Sequence, residues 1–135
     1  MKYLCLAYDD EQLFHDMPRS EWLALRQETL DYVDALRASG HLLGTHALRS
    51  STTATKLRVR DGRLSVTDGP FVETKEQIGG YFLIEATDLE EAIRIAANWP
   101  GARFGTIEVR PIEDSLSPDR RYEAPAQPDQ AAHPA

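Results

Sequence analysis

Residues 81–112 read YFLIEATDLEEAIRIAANWPGARFGTIEVRPI, and this stretch decides the fold. Tyr81 to Ala86 predicts a strand, with Phe82 and Ile84 on one side and Tyr81, Leu83 and Glu85 on the other. Asp88 and Glu91 stand three apart ahead of an apolar-periodic run, the spacing of a capping box. The helix that follows carries Leu89, Ala92, Ile93 and Ala96 on its packed side. Pro100-Gly101 stops it, and Thr106 to Ile112 returns as a strand in which Ile107 and Val109 oppose Glu108 and Arg110. Pro111 places the end of that strand at an edge. The whole is a βαβ unit.

Working outward, Tyr3 to Tyr8 is apolar on both faces, as suits a strand in the middle of a sheet, and Asp9, Asp10 and Glu11 end it. A loop reaches Pro18. Trp22, Leu25, Thr29, Val33 and Leu36 then recur at helical spacing, and Gly40 falls where a left-handed C-terminal cap stops the helix near Ser39. His41 to Arg49 reads as a strand. Thr53 to Arg60 and Leu64 to Thr67 form a hairpin through Asp61-Gly62, a pair that tolerates the positive φ of tight primed turns. Two crossovers about one mixed sheet, with helices on a single face, predict an α+β class: ferredoxin-like βαββαβ with an inserted β-hairpin.

A sheet covered by helices on one side leaves its other face wet or covered by a second copy of the chain, which predicts a homodimer. That face mixes apolar groups with charge. Glu85, Glu108, Arg58 and Arg110 are expected along it as paired charges or ligand contacts, and an ion-pair ladder is the competing reading.

The segment between the hairpin and the βαβ unit, DGPFVETKEQIGGY at 68–81, concentrates turn, charged and aromatic residues. Gly69-Pro70 fixes a sharp corner. Phe71 is expected as a buried anchor beyond it, while Gly79-Gly80 leaves backbone bare for the approach of another backbone or a ligand. Asp68 and Glu73 are candidate proton acceptor and donor, with Lys75 or Arg110 holding an anion. Phe71, Gly79, Gly80, Tyr81, Glu85, Glu108 and Arg110 are candidate ligand contacts. The competing reading makes the segment a β-turn with a packing plug and solvated charges, in which Asp68 accepts hydrogen bonds from nearby backbone N–H groups.

The string from Asp68 to Pro100, followed by GTIEVRPI and preceded by ATKLRVRDG at 54–62, resembles the DGPF branch of the YCII-related proteins over about residues 1 to 113. That resemblance implies ferredoxin-like modules paired as dimeric α-β barrels. It implies a suspected catalytic role, and a functional link to extracytoplasmic-function sigma factors, beside which members of the branch are often encoded. The family prototype is associated with a His-Asp pair; His46 is the nearest histidine here and lies outside the motif string.

Composition bounds the rest. A chain of 135 residues, 41% of them hydrophobic, sustains one core and is too short for two ordinary domains. Residues 1–113 are read as that domain and the Pro/Ala-rich stretch 114–135 as a disordered tail. A formal net charge of −7 opposes attraction to nucleic-acid phosphates or anionic membranes, so neither partner is expected. One cysteine, Cys5, excludes an internal disulfide, fits a cytoplasmic location, and reads as a buried structural thiol. Walker loops, dinucleotide fingerprints and hydrolase elbows are missing from the sequence, and neither a cofactor nor a metal is expected. Two functions compete: a small-molecule-handling module with acid–base activity, and a noncatalytic regulatory or protein-interaction module. Convergence of Asp68, Glu73 and Lys75 on a cleft separates them.

Overall fold

In a computed structural model that describes residues 1–114, the first strand, β1 (Lys2–Asp9), lies inside a four-stranded sheet. Its neighbours are β5 (Gln77–Glu85) and β6 (Thr106–Pro111), and β2 (Leu42–Ala47) closes the far side of β5. The strand order is β2-β5-β1-β6. Every pairing is antiparallel, which corrects the expected mixed sheet. Each helical crossover joins strands that are not neighbours, so an oppositely directed strand always intervenes. The α+β class holds. The tail from residue 115 onward lies outside the described residues.

Helix α2 (Arg19–Ala38) and helix α3 (Leu89–Ala97) cover one face of this sheet. Val33 and Leu36 of α2 and Ala92, Ile95 and Ala96 of α3 share a buried cluster with Tyr3, Cys5, Phe82 and Ile84. The strand alternation is therefore as the sequence predicts, but α3 is rotated relative to expectation. Ile95 packs inward, while Leu89 and Ile93 stay exposed. The helix starts as read: the Asp88 carboxylate accepts from the Glu91 N–H at 2.9 Å, and Glu91 reaches back to accept from the Thr87 N–H at 3.1 Å. Helix α2 ends on Gly40 at φ 81°, with the His41 N–H returning to the Leu36 carbonyl. Burial pushes the Cys5 thiol up to about 12, so it stays protonated and inert. No helix among the described residues is long and apolar enough to cross a membrane.

Two further features depart from the sequence reading. Residues Glu11–Asp16, expected as loop, form a short helix α1, capped by the Asp10 carboxylate accepting from the Gln12 N–H at 3.1 Å. Six residues give too few turns to show a period. The hairpin of β3 (Thr55–Arg60) and β4 (Arg63–Asp68) turns through Asp61 at φ 51° and Gly62 at φ 71°, as the primed turn requires. It is nonetheless a separate two-stranded sheet. Leu57, Val59, Leu64 and Val66 share one face and are 56 to 64% exposed.

Phe71 belongs to the same correction. Because the hairpin stands off the body, nothing closes over the corner after Pro70, and Phe71 is 72% exposed with Arg58 against its ring at 5.9 Å. It is not a buried anchor. Phe71→Ala is accordingly expected to cost under about 1 kcal/mol in urea unfolding, instead of the ~3 to 5 kcal/mol of a core aromatic. A loss in the core range would contradict this placement.

Candidate functional site

The residues of the DGPF segment do not meet at one point. The Asp68 carboxylate is exposed, and among the described residues it accepts no hydrogen bond and forms no ion pair. The Asx-type corner of the competing reading is therefore not made: the residue two positions on is Pro70, which has no N–H to give, and the Gly69 N–H donates to the Ala54 carbonyl at 2.8 Å. Glu73 is likewise exposed. Lys75 lies in solvent and reaches back to Asp10 at 3.9 Å. Gly80 has the role expected of a bare backbone, since a Cβ there would sit 3.0 Å from the His46 carbonyl oxygen of the neighbouring strand. What approaches it is a backbone, not a ligand.

The open face of the sheet holds part of the expected charge lane, in separate pairs. Tyr81 meets His46 across the β5-β2 register, with Nδ1 and the phenol oxygen 2.8 Å apart. Glu85 lies 3.3 Å from the N-terminal ammonium. Glu108 accepts from the Tyr8 hydroxyl at 3.1 Å and sits 3.7 Å from Arg110. Arg58 is absent from this lane because its strand belongs to the detached hairpin. The competing ladder reading therefore describes Glu108 and Arg110, though within one strand.

A larger hollow lies elsewhere. A cleft of about 1170 Å³ runs between α2 and the β2 side of the sheet, with Trp22, Leu25, Val33 and Trp99 among its apolar walls. Phe14 of α1 packs edge-on against both Trp22 and Phe104, and Arg103 clasps Glu28 through two bonds of 2.7 and 2.8 Å, so its upper wall is held from both sides. Trp99 is stacked on Phe82 at 4.0 Å, which fixes the floor to the core.

Asp9 is the chemical group of this cleft, and the sequence reading passed over it as a strand terminator. The alternation Tyr3, Cys5, Ala7 carries it to the helix side at the end of β1, where a hydrophobic residue would ordinarily continue the core. Room for a carboxylate is made by glycine. The pairing of β1 with β5 slips between Ala7 and Tyr8 and leaves Gly79 as the extra residue, and a Cβ on Gly79 would collide with the Asp9 carboxylate. Gly105 approaches from the other side, where a Cβ would lie 3.3 Å from the same group and would clash with the Tyr8 carbonyl. Among the described residues the Asp9 carboxylate has no hydrogen-bond donor and no cation. Burial, then the nearby charges of Glu76 and Glu11, raise its pKa above the ordinary aspartate value.

Glu11 shows the opposite environment two residues away. Its carboxylate accepts from the Ser51 N–H at 2.6 Å and the Ser50 hydroxyl at 2.8 Å, which hold its pKa low. Two neighbouring carboxylates are thus pushed apart in proton affinity. Among the described residues, His, Cys, Asp and Glu side chains nowhere gather in a group of three suited to a metal ion. A second hollow of about 590 Å³ lies under the hairpin root, bordered by Phe71, Thr74 and Glu76 and sharing Arg49 and Ser50 with the first.

Comparison with known proteins agrees with this architecture. The model of the YCII-related domain matches residues 1–115. An uncharacterized protein of Rhizobium meliloti is 33% identical over 114 residues, covering 83% of this chain and 92% of that protein. Among solved structures, 5-chloro-2-hydroxyhydroquinone dehydrochlorinase from Burkholderia phenoliruptrix, in complex with 2,5-dihydroxybenzoquinone, superposes with a TM-score of 0.53 at 14% identity. That match covers 85% of this chain and 96% of the other. At that identity the likeness concerns the fold.

Proposed function

Because the chain belongs to the YCII-related domain family, we propose that it handles a small molecule in the cleft between α2 and the sheet, with Asp9 as the group that takes up and returns a proton. One observation carries this reading: a half-buried carboxylate with no partner among the described residues, in space kept open by glycine, at the edge of this cleft. Stability alone does not account for such a group, since burying an unpaired carboxylate costs free energy. A raised pKa brings it closer to neutrality, where a general acid–base group works best. The acid–base role assigned by sequence to Asp68 and Glu73 passes to Asp9 in this proposal.

The same reading takes the fold as ferredoxin-like and the active form as a homodimer, a dimeric α-β barrel formed through the open sheet face. Leu4, Leu6 and Leu83 on that face are only partly covered within one chain. A cytoplasmic site of action and a link to sigma-factor-regulated pathways rest on the sequence and the family resemblance. A noncatalytic interaction module is the second reading, and the outward aliphatic face of the hairpin favours it.

A thermal-shift screen of small aromatic and enolisable compounds on the wild type and on Asp9→Asn separates the two. The proposal predicts stabilising compounds whose chemical turnover needs Asp9. Compounds that bind both proteins and are left unchanged by both would favour the interaction module. Sedimentation of the wild type at micromolar concentration should show a dimer, and a monomer would contradict the barrel.

A further inference from the structure

Arg19, Arg26 and Arg37 of α2 are separated by seven and eleven residues. Seven residues fall just short of two helical turns and eleven just exceed three, so the guanidinium groups line one flank of the helix. All three border the cleft, and Arg49 faces it from the segment after β2. Among the described residues none of these four side chains has an ion-pair or hydrogen-bond partner. By contrast, Arg103 is paired with Glu28 and Arg110 with Glu108. The cleft wall thus carries a surplus of cations on a chain whose formal net charge is −7.

Negative charge in the cleft is confined to the turn where β1 runs into α1. Asp9 and Glu11 are its acidic lining residues, with Glu76 close enough to Asp9 to act on it. An anionic ligand group is repelled by these carboxylates and drawn along the arginine flank, away from Asp9, to Arg26. Arg26 sits between Trp22 and Leu30, each four residues away on the same flank, so a carboxylate reaching its guanidinium would have an apolar side chain to either side for the rest of the ligand.

We infer that the cleft takes an aromatic carboxylate, with the anionic group on Arg26, the ring against Trp22 and Leu25, and the far edge of the ring turned toward Asp9. This rests on the assignment of Asp9 as the proton-transferring group, and it adds the class and orientation of what that group acts on. Arg26 is a binding residue in this scheme and takes no part in proton transfer.

The test is calorimetric titration of the full chain with naphthoate and with its neutral counterpart naphthalenemethanol. Naphthoate should bind at least about tenfold more tightly, the margin expected of a charge-assisted hydrogen bond to a guanidinium. Added sodium chloride should narrow that margin, and Arg26→Gln should remove it. Asp9→Asn should leave naphthoate binding intact or tighten it, because one repelling anion is gone. Equal affinity for the two probes, no binding of either, or a margin unchanged in Arg26→Gln would overturn the inference. The two assignments fail separately. An Asp9→Asn protein that keeps full turnover defeats the acid–base role, whatever the anion preference.

Discussion

Asp9→Asn is expected to reduce turnover of a cleft substrate by about 10²- to 10⁴-fold, the usual contribution of a positioned acid–base group, while raising the melting temperature at neutral pH. The two effects have one origin. Folding moves Asp9 out of water, beside Glu76 and Glu11, and so raises its pKa from the ordinary value of 3.8. Between that value and the raised one the folded chain binds more protons than the unfolded chain, so stability falls as pH rises through the window. Above the window the folded state carries the full cost of the charge. The amide keeps the shape and removes that cost, so the gain from Asp9→Asn should be present at pH 7 and shrink as pH falls toward 3.8. Thermal melts of both proteins across this range provide the check, and a variant less stable than wild type at pH 7 would contradict the environment described.

Phe82→Ala should have the largest effect on stability, about 3 to 5 kcal/mol in denaturant unfolding. The side chain is 0% exposed, lies on the central strands opposite Cys5 and Thr45, and stacks on Trp99 with the planes 9° apart. Truncation leaves a cavity that a four-stranded sheet under two helices has little freedom to close, and it frees Trp99 at the floor of the cleft. Such a loss is a large part of the 5 to 15 kcal/mol that stabilises an ordinary domain. A cost below about 1 kcal/mol would mean that Phe82 is not the centre of the core. Set beside the small effect expected for Phe71→Ala, it distinguishes an aromatic held by the sheet from one carried on an exposed corner.

Much of this architecture is legible in the sequence because its signals are local. The Asp88-Glu91 pair caps α3, Gly40 ends α2, and Asp61-Gly62 turns the hairpin, each by a mechanism confined to a few residues. The features that escape the sequence depend on what lies across space. Nothing in Thr55 to Asp68 says that the hairpin stands apart from the main sheet, and the misplacement of Phe71 and Arg58 follows from that one fact. The wrong facing of α3, with Ile93 expected inward where Ile95 packs, has the same origin, since both isoleucines fit an apolar pattern until the sheet decides between them.

Asp9 is the instructive case. Its phase with Tyr3, Cys5 and Ala7 is written in the sequence, and an acid in the inward phase of a buried strand is itself a signal. That signal lay hidden in Asp9, Asp10 and Glu11, where three acids in a row read as the solvated end of a strand. The glycines that give the carboxylate its room, Gly79 and Gly105, lie far along the chain, and only the slip in the β1-β5 pairing brings Gly79 against it. Gly79 was legible as a place of close approach. What approaches it was not.

Asp9 is a half-buried carboxyl group without a partner among the described residues, and a carbon-detected NMR titration of its side chain measures the consequence directly. The midpoint is expected above the ordinary aspartate value of 3.8, moving back toward it in Glu76→Gln as one of the two repelling charges is removed. A midpoint at or below 3.8 would show a solvated or hydrogen-bonded carboxylate and would contradict the proposed site.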